Sequence, residues 1–472
     1  MPDSEGLLAG TYTYGTKYNV DGSVYASNYA AAGNLPAESV LYTYNDLGGL
    51  QSSSGGYDGN TFEYVTDTQY TRYGEVARTQ LGEPGKRVWL SNYYDDHTRQ
   101  VNRMIVDAEV SAPMQADVHY TYDHAGNVTS IADTPQGKPA DIQCFTLDYL
   151  QRITEAWTPS GGCDQAPAVA TLSGPAPYWQ SFAYDKVGNR LAETDHTAAG
   201  DTVSTSAFPP TGHTLSGVSS TGPGGAKSSQ YVYDASGNTI TRKLPGATQQ
   251  LDWDADGRLA KVTEGSNVTD FVYDADGNRL IRHDNTGATL YLAGEELRIT
   301  KAGAAEATRY YSYGKRTVAV RDGSGLSWLA GDIQDTSQIA IGSDSQQVTQ
   351  RRQLPFGAPR GGSALFPGQK GFVGGTIDSS IGLTQLGIRE YDPTLGRFLS
   401  VDPVANQDDS QQLHGYTYAD NNPITKMDPS GADWFTDYLN IITGPPPAPP
   451  AAGARRCRSR WDRCRRRRGR RQ

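Results

Sequence analysis

A short motif recurs along the chain and constrains its fold more than any other feature of the sequence. Each copy has an aromatic residue followed by aspartate, two variable residues, glycine, and then asparagine or arginine. The last three clear copies begin twenty residues apart. Repetition at such a spacing predicts stacked copies of one supersecondary unit. The clear copies occupy residues 122–127, 184–189, 233–238, 253–258 and 273–278, and weaker copies begin at Tyr44, Tyr94 and Tyr149.

The chemistry of one copy predicts a β-hairpin. Tyr231 and Tyr233 alternate with Val232, as on a strand whose successive side chains point to opposite faces. The aspartate that follows supplies an acceptor for N–H groups of the turn, and glycine adopts the positive φ that the turn requires. Leu280 and Ile281 begin a return strand after one such turn. Because a lone hairpin is barely stable in water, successive hairpins must join into one sheet, and the sequence predicts an all-β fold.

The composition separates a folded sheet from a disordered chain. Hydrophobic residues make up 36% of the chain, below the roughly 45–50% of typical globular proteins. However, 29 residues are Tyr and 53 are Gly, whereas disordered chains are poor in aromatic residues. Tyr interleaved with Thr and Val suits half-buried strands. We therefore expect a broad sheet with many turns and a modest core.

The net charge of −10 conceals an uneven distribution. Residues 455–472 contain eleven Arg and one Asp, which leaves 31 basic and 51 acidic side chains in the rest of the chain. An acidic body argues against a nucleic-acid-binding shell, because phosphate carries the same charge. Contact with nucleic acid is therefore expected only through the Arg-rich tail, if at all.

The repeated copies resemble the YD repeats of RHS proteins, a family that includes bacterial polymorphic toxins, the C components of insecticidal toxin complexes and animal teneurins. Residues 310–432 are similar to the RHS repeat-associated core domain, because its motifs occur here in the expected order. The resemblance implies a long spiralling sheet of hairpins that forms a hollow shell, or part of one, closed by the core domain. Matching motifs are Tyr-Tyr-Ser-Tyr-Gly at 310–314, Leu-Pro-Phe-Gly at 354–357, Gly-Phe-Val-Gly-Gly at 371–375, Tyr-Asp-Pro-Thr-Leu-Gly-Arg-Phe at 391–398 and Asp-Pro-Ser-Gly at 428–431.

The same resemblance divides the chain into four segments. Residues 1–39 are a lead-in to the repeats, 40–290 the YD-repeat sheet and 291–432 the core domain. Residues 433–472 form a variable tail, with a Pro-rich linker and an Arg-rich end that we expect to be disordered.

In many RHS proteins the core domain is an aspartyl autoprotease that cuts after an Asp-Pro-x-Gly-Leu motif. The resemblance places the catalytic pair at Asp402 and Asp428 and the cut between Ala432 and Asp433. Two carboxylates that share a site do not both ionise readily, so one acts as an acid while the other activates water. An arginine orients such a carboxylate through paired hydrogen bonds. The expected supporting residues are Arg389, Arg397, Pro429 and Gly431.

Two positions depart from the family pattern, and a plainer interpretation competes with catalysis. Asp335 stands where the family usually has Gly, and Ala432 stands where Leu commonly follows Asp-Pro-x-Gly. The smaller Ala432 side chain is expected to make cleavage less efficient. Any Asp-Pro pair also opens a type I turn, with Pro at the second position. Asp392 is assigned to that plainer interpretation.

We expect no metal or cofactor site. Asp252, Asp254 and Asp256 resemble the start of a calcium loop, but the position that requires Glu is Thr263, and the run coincides with a repeat turn. The seven His are scattered along the chain without metalloprotease spacing.

The residues after Ala432 are too few to fold into the enzymatic toxin that RHS proteins usually carry there. Three interpretations stay open: a truncated or frame-shifted remnant, a small peptide that binds nucleic acid or membrane, and a genuine short cargo. By resemblance, the partners are the C-terminal polypeptide as cargo, delivery proteins and an immunity protein. The alternative function is a non-catalytic cell-surface module that binds carbohydrate or a protein partner. An abrupt start and a short tail suggest a gene fragment.

The sequence shows no signal peptide and no apolar run long enough to span a membrane. The resemblance implies a secreted or cell-surface protein. Cys144 and Cys163 are either disulfide-bonded in an exported protein or free and buried. A bond between Cys457 and Cys464 would favour a functional tail.

Overall fold

In the computed structural model of the protein, residues 3–57, 59–362, 365–404 and 411–432 are described. One sheet of 29 strands and a second sheet of four strands hold nearly all of the regular structure. The predicted all-β fold of stacked hairpins is therefore confirmed. The predicted tail lies outside the described residues.

The strands of the large sheet begin near the amino terminus and continue past residue 340. The first fifteen are β1 (Gly15–Tyr18), β2 (Val24–Tyr29), β3 (Glu38–Tyr44), β4 (Leu50–Tyr57), β5 (Asn60–Tyr70), β6 (Val76–Leu81), β7 (Val88–Tyr94), β8 (Val101–Ala108), β9 (Met114–Tyr122), β10 (Val128–Asp133), β11 (Asp141–Leu147), β12 (Ile153–Trp157), β13 (Trp179–Tyr184), β14 (Arg190–Asp195) and β15 (Thr202–Ala207). The others are β16 (Gly217–Thr221), β17 (Lys227–Tyr233), β18 (Thr239–Leu244), β19 (Ala247–Trp253), β20 (Leu259–Glu264), β21 (Asn267–Tyr273), β22 (Arg279–Asp284), β23 (Gly287–Leu292), β24 (Glu295–Thr300), β25 (Ala305–Tyr313), β26 (Arg316–Asp322), β27 (Gly325–Gly331), β28 (Ser337–Gly342) and β29 (Val348–Gln350).

The small sheet and a few helical turns follow or flank the large sheet. The strands of the small sheet are β30 (Thr376–Asp378), β31 (Leu383–Leu386), β32 (Arg389–Asp392) and β33 (Arg397–Phe398). The 3-10 helices of the described residues are Asp3–Leu8, Val169–Thr171, Phe372–Gly374, Gln412–His414 and Ala419–Asn421. No helix in this part of the chain combines the length and apolarity needed to cross a membrane.

Every strand of the large sheet is antiparallel to the next strand along the chain, from the β1–β2 pair to the β28–β29 pair. Consecutive hairpins produce this up-and-down order. The sheet runs from Gly15 to Gln350, so it extends beyond residues 40–290 at both ends. Within the described residues, β1 and β29 are not paired with each other, and main-chain hydrogen bonds leave the sheet open.

Each repeat turn is built around its own aspartate. Asp123 accepts the backbone N–H of Ala125 at 2.8 Å and that of Asn127 at 2.9 Å on one carboxylate oxygen. Its other oxygen accepts the Asn127 side-chain amide at 2.9 Å. Gly126 has a φ of 85°, which explains the glycine. The corresponding carboxylates are Asp185, Asp234, Asp254 and Asp274.

The aromatic residue of most copies bonds to the strand before its own. Tyr273, which ends β21, donates its hydroxyl hydrogen to the carbonyl of Leu259, the first residue of β20, at 2.8 Å. Trp253 donates from its indole nitrogen to the carbonyl of Thr239, the first residue of β18, at 2.8 Å. Since these strands belong to successive hairpins, each aromatic side chain ties its hairpin to the previous one. Equivalent bonds are made by Tyr44, Tyr70, Tyr94, Tyr122 and Tyr184.

Hydrophobic contacts join strands that are far apart in sequence. One cluster combines Val40, Tyr64 and Leu81 of early strands with Tyr311 and Trp328 of late strands. The rings of Tyr64 and Tyr311 stack with their centroids 4.3 Å apart. The large sheet therefore curls until early strands, from β3 onward, pack on β25 to β28.

A disulfide joins Cys144 on β11 to Cys163 in the loop that follows β12. Of the two states that the sequence left open for these cysteines, the bonded one is present. The bond fastens an exposed loop to the large sheet.

Residues 351–432 dock onto the repeat turns of the large sheet. The side-chain amide of Asn422 donates to the side-chain oxygen of Asn127 at 3.1 Å. The hydroxyl of Tyr416 donates to the carbonyl of Gly237 at 2.7 Å. These acceptors are the asparagine and the glycine of two repeat copies, so the recurring turns of the repeat also form a docking surface.

Buried ion pairs fasten the small sheet to the large one. Arg279 on β22 donates to Asp378 and to Glu390, each at 2.6 Å. Arg242 on β18 donates to Asp392 at 2.5 Å. All five side chains are almost completely buried. Asp392 is expected from the sequence only to open a turn, but its side chain also forms a buried ion pair with Arg242.

Asp335 occupies a backbone conformation that favours glycine, with a φ of 61°. This explains why the family usually has Gly at the position. Burial raises the pKa of the Asp335 carboxyl to about 7, although nearby Arg316 opposes the shift.

Replacing Tyr273 with Phe tests the bond between hairpins. We expect Tyr273→Phe to lower the free energy of unfolding by about 1 kcal/mol, because the Leu259 carbonyl loses its donor. Tyr149→Phe is the control, since Tyr149 is 86% exposed. Urea denaturation of both variants checks the expectation. Equal losses would contradict a specific role for the repeat hydroxyl.

Replacing Asp335 with Gly tests how much this residue destabilises the folded protein. A carboxyl whose pKa is raised on folding lowers stability as pH rises from its unfolded value toward about 7, and the loss is complete above that pH. Asp335→Gly should therefore stabilise the protein at pH 5 and stabilise it by at least about 1 kcal/mol more at pH 8. Thermal unfolding at both pH values measures the difference. A gain in stability that does not change with pH would show that only the backbone conformation of Asp335, and not its buried carboxyl, destabilises the protein.

Candidate functional site

Asp402 and Asp428, the predicted catalytic pair, meet at one arginine. The same nitrogen of Arg389, Nη2, lies 2.7 Å from Oδ2 of Asp402 and 2.9 Å from Oδ2 of Asp428. Arg389 is the first residue of β32, Asp402 follows β33, and Asp428 opens the turn that ends the described chain. The fold therefore brings together three predicted site residues that are 13 to 39 positions apart in sequence.

Arg389 is held on all sides by neighbours that fix its plane. Its guanidinium carbon lies 3.6 Å from the centre of the Phe398 ring. Its Nη1 donates to the carbonyl of Gly415 at 3.1 Å, and its Nε donates to the carbonyl of Gly431. Burial lowers the pKa of Arg389, while Asp402 and Asp428 oppose that shift. The arginine stays charged and positions both carboxylates.

The turn that carries Asp428 has the predicted type I hydrogen bond. The N–H of Gly431 donates to the Asp428 carbonyl at 3.4 Å, with Pro429 at the second position. Gly431 has a φ of 66°, and a side chain there would meet the carbonyl of Leu386 at 2.4 Å. Only glycine fits this position. Asp428 therefore opens a type I turn and also places its carboxylate in the candidate site.

The side chain of Asp428 also contacts the residue that precedes the predicted cut. Its Oδ1 accepts the hydroxyl of Ser430 at 3.0 Å and the backbone N–H of Ala432 at 3.1 Å. Asp402 is held from the other side, because its N–H donates to the Gly415 carbonyl at 2.8 Å. Asp433 lies outside the described residues.

The arrangement can supply an oriented general base. An ionised carboxylate takes a proton from water, and Arg389 holds Asp402 and Asp428 in place beside the residue before the predicted cut. A general acid is also needed for peptide cleavage. Either carboxyl would serve in its protonated form.

Arg397, the other candidate for orienting the carboxylates, lies elsewhere. Its Nη2 donates to the carbonyl of His213 at 2.7 Å, and its guanidinium lies 4.9 Å from the centre of the Tyr416 ring. Arg397 therefore lies against His213 and Tyr416, and the structure does not place it where it could orient a carboxylate of the pair. Sequence position could not separate the two arginines, because both lie in the same motif region.

Sequence reasoning missed Phe398, Tyr418 and Ser430. The buried Tyr418 hydroxyl accepts the backbone N–H of Asp428 at 3.3 Å. Phe398 and Tyr418 belong to one hydrophobic cluster beneath the site. Phe398 lies one residue after Arg397, so its place in the motif was visible, but its contact with Arg389 depends on strand pairing.

No group of His, Cys, Asp and Glu side chains among the described residues is arranged to hold a metal ion. At the run that resembles a calcium loop, Asp254 accepts the N–H groups of Asp256 and Arg258 at 2.9 Å each. Its other oxygen accepts Nε of Arg258 at 2.8 Å. This carboxylate serves the repeat turn.

The chain matches the family described as Teneurin YD-shell over residues 178–424. It is 26% identical over 417 residues to Toxin subunit YenC1 of Yersinia entomophaga, a match that covers 76% of this chain and 42% of that protein. Toxin subunit YenC2 of the same organism is 23% identical over 497 residues, covering 91% of this chain and 49% of that protein. The chain thus spans less than half the length of either relative.

A solved structure has a similar fold. The crystal structure of TcdB2-TccC3-Cdc42 superposes with a TM-score of 0.72 at 20% sequence identity, covering 91% of this chain and 22% of that chain. The predicted resemblance to RHS/YD-repeat proteins is confirmed by these matches.

Removing the shared cation tests its role in the site. We expect Arg389→Gln to lower the free energy of unfolding by about 3 kcal/mol, because it leaves Asp428 buried without a charged partner. Adding Asp428→Asn should recover part of that loss, as expected for interacting residues. Urea denaturation of the two single variants and the double variant measures the coupling. Additive losses would show that the two side chains do not interact.

Proposed function

The chain belongs to the teneurin YD-shell family, and from this premise we propose that it forms part of the wall of a toxin shell that encloses a C-terminal polypeptide. The long sheet of consecutive hairpins supports a wall, and residues 351–432 support a closing element because they dock on its repeat turns. Two relatives are toxin subunits by name.

The proposed division of the chain follows from these roles. Residues 1–39 lead into the shell, 40–290 carry the YD repeats and 291–432 form the core domain. Residues 433–472 are the enclosed segment. The strands between Gly15 and Gln350 contribute to the same wall, whichever segment they belong to.

We further propose that the core domain cuts the chain after Ala432. One carboxylate of the Asp402–Asp428 pair takes a proton from water, and the water oxygen forms a bond to the carbonyl carbon of Ala432. The bond to the nitrogen of Asp433 breaks, and the other carboxyl, in its protonated form, gives its proton to that nitrogen. The observation that supports this proposal is the sharing of Arg389 by the two carboxylates, beside the residue before the cut.

The proposed location is outside the producing cell. The Cys144–Cys163 disulfide supports it, because disulfides persist mainly in oxidising compartments. Proteins that deliver the shell would then be its partners, and an immunity protein would protect the producer from an active cargo.

The intact mass of freshly purified full-length protein tests self-cleavage. We expect the wild type to lack residues 433–472, whereas Asp402→Asn and Asp428→Asn remain full length, because each variant removes one of the two proton-carrying groups. Asp274→Asn, in a repeat turn remote in sequence from the pair, is the control and should be cut like the wild type.

Cleavage that persists in both pair variants would discard the dyad. A full-length wild type would overturn self-cleavage itself. Circular dichroism of each variant separates a lost activity from a lost fold.

A further inference from the structure

Arg397 is a buried cation that no carboxylate neutralises among the described residues. Only 8% of the residue is exposed. Its Nη2 donates to the carbonyl of His213, and its Nε has no hydrogen-bond partner among the described residues. Burial lowers the pKa of the guanidinium, which shows how poorly its charge is solvated.

Most other buried arginines of the described residues are paired with carboxylates, whereas Arg321 donates to the hydroxyls of Tyr311 and Tyr64. Arg279 and Arg309 each have two carboxylate partners at 2.6 Å, and Arg242 has one at 2.5 Å. An isolated charge taken out of water is strongly unfavourable unless an opposite charge lies beside it. Arg397 therefore lacks the carboxylate partner that Arg242, Arg279 and Arg309 have.

A cavity of about 460 Å³ lies beside this arginine. It is much larger than the roughly 30 Å³ that one water molecule occupies in the liquid. Arg242 also lines the cavity, and it is paired with Asp392. Ser204, Ser206 and Ser229 line the same space.

The two histidines next to Arg397 contribute no negative charge. His414 accepts the N–H of Tyr416 on Nδ1 at 3.3 Å, so its proton lies on Nε2, which donates to Asn189 at 2.8 Å. His213 also contacts Asn189, at 3.1 Å. Burial and the charge of Arg397 keep the pKa of His414 well below its usual value.

The carboxylates of the cavity wall have other partners. Asp392 is paired with Arg242. Glu193 and Asp195 both accept the side-chain amide of Gln180, at 3.0 and 2.9 Å. None of these three is bonded to Arg397 in the described part of the chain. Lys227, at the cavity lining, adds a further positive charge.

We propose that this cavity binds an oxyanion carried by a small hydroxyl-bearing molecule, with Arg397 and Arg242 as the charged contacts. The anionic group compensates the charge of Arg397, which no carboxylate of the described residues balances, and the serine side chains of the lining bind the rest of the ligand. The cavity lies between the large sheet and residues 381–397 and 414–421, so the bound molecule joins the shell to its closing element.

Thermal unfolding of the full chain at matched ionic strength tests the site. The protein is melted in chloride and in phosphate, sulfate, acetate and glycerol 3-phosphate. We expect at least one oxyanion to raise the wild-type melting temperature by about 3 °C or more. A larger rise with glycerol 3-phosphate than with phosphate identifies the hydroxyl-bearing ligand, and the reverse order would overturn that part of the proposal.

Arg397→Gln should abolish the rise and, in chloride, melt no lower than the wild type, because it removes an uncompensated charge. Arg360→Gln is the matched control: Arg360 is 6% exposed and paired with Asp141 at 2.6 Å. It should melt lower in chloride yet keep the rise. If Arg397→Gln does not fold, Ser206→Leu, which narrows the cavity and leaves the arginine in place, should abolish the rise instead. No rise with any oxyanion, or an equal rise in the cavity variants, would overturn the proposal.

Discussion

The rest of the structure depends on the way each repeat turn satisfies its own backbone. The carboxylate of Asp123 accepts two N–H groups of its turn and the side-chain amide of Asn127. The turn therefore satisfies its own N–H groups, while its asparagine oxygen accepts the amide of Asn422. The N–H of Val128, which follows the turn, donates to the hydroxyl of Thr425. A motif that looks like a local turn signal thus also takes part in binding residues 351–432.

Between the turns, the sheet is held by side chains that cross from one hairpin to the next. A hydroxyl bond such as that of Tyr273 contributes only about 1 kcal/mol, but it recurs along the chain. The buried ion pairs act differently. Exchanging a complete buried pair for apolar residues is often neutral, whereas removing one member is costly. Arg242 and Arg279 therefore specify the position of the small sheet more than they stabilise it.

The hairpins could be predicted from the sequence, because a turn aspartate and a glycine act over six residues. Asp402, Asp428 and Arg389 could be named because they lie in motifs of a known order. The separate fates of Arg389 and Arg397 could not, since they depend on which side of the small sheet each side chain occupies. The partners of Arg279 are about a hundred residues away, and nothing local identifies Asp378 among many acidic residues. The curl that stacks Tyr64 on Tyr311 is equally a property of the whole sheet.

The single guanidinium shared by Asp402 and Asp428 has a consequence for the chemistry that the site would perform. A cut after Ala432 creates a new terminal carboxylate beside two existing ones, and Arg389 carries only one positive charge. The product end would compete for the same nitrogen atoms that hold the intact chain. If the proposed cut occurs, the site would lose its working geometry in that one event and would act once instead of turning over.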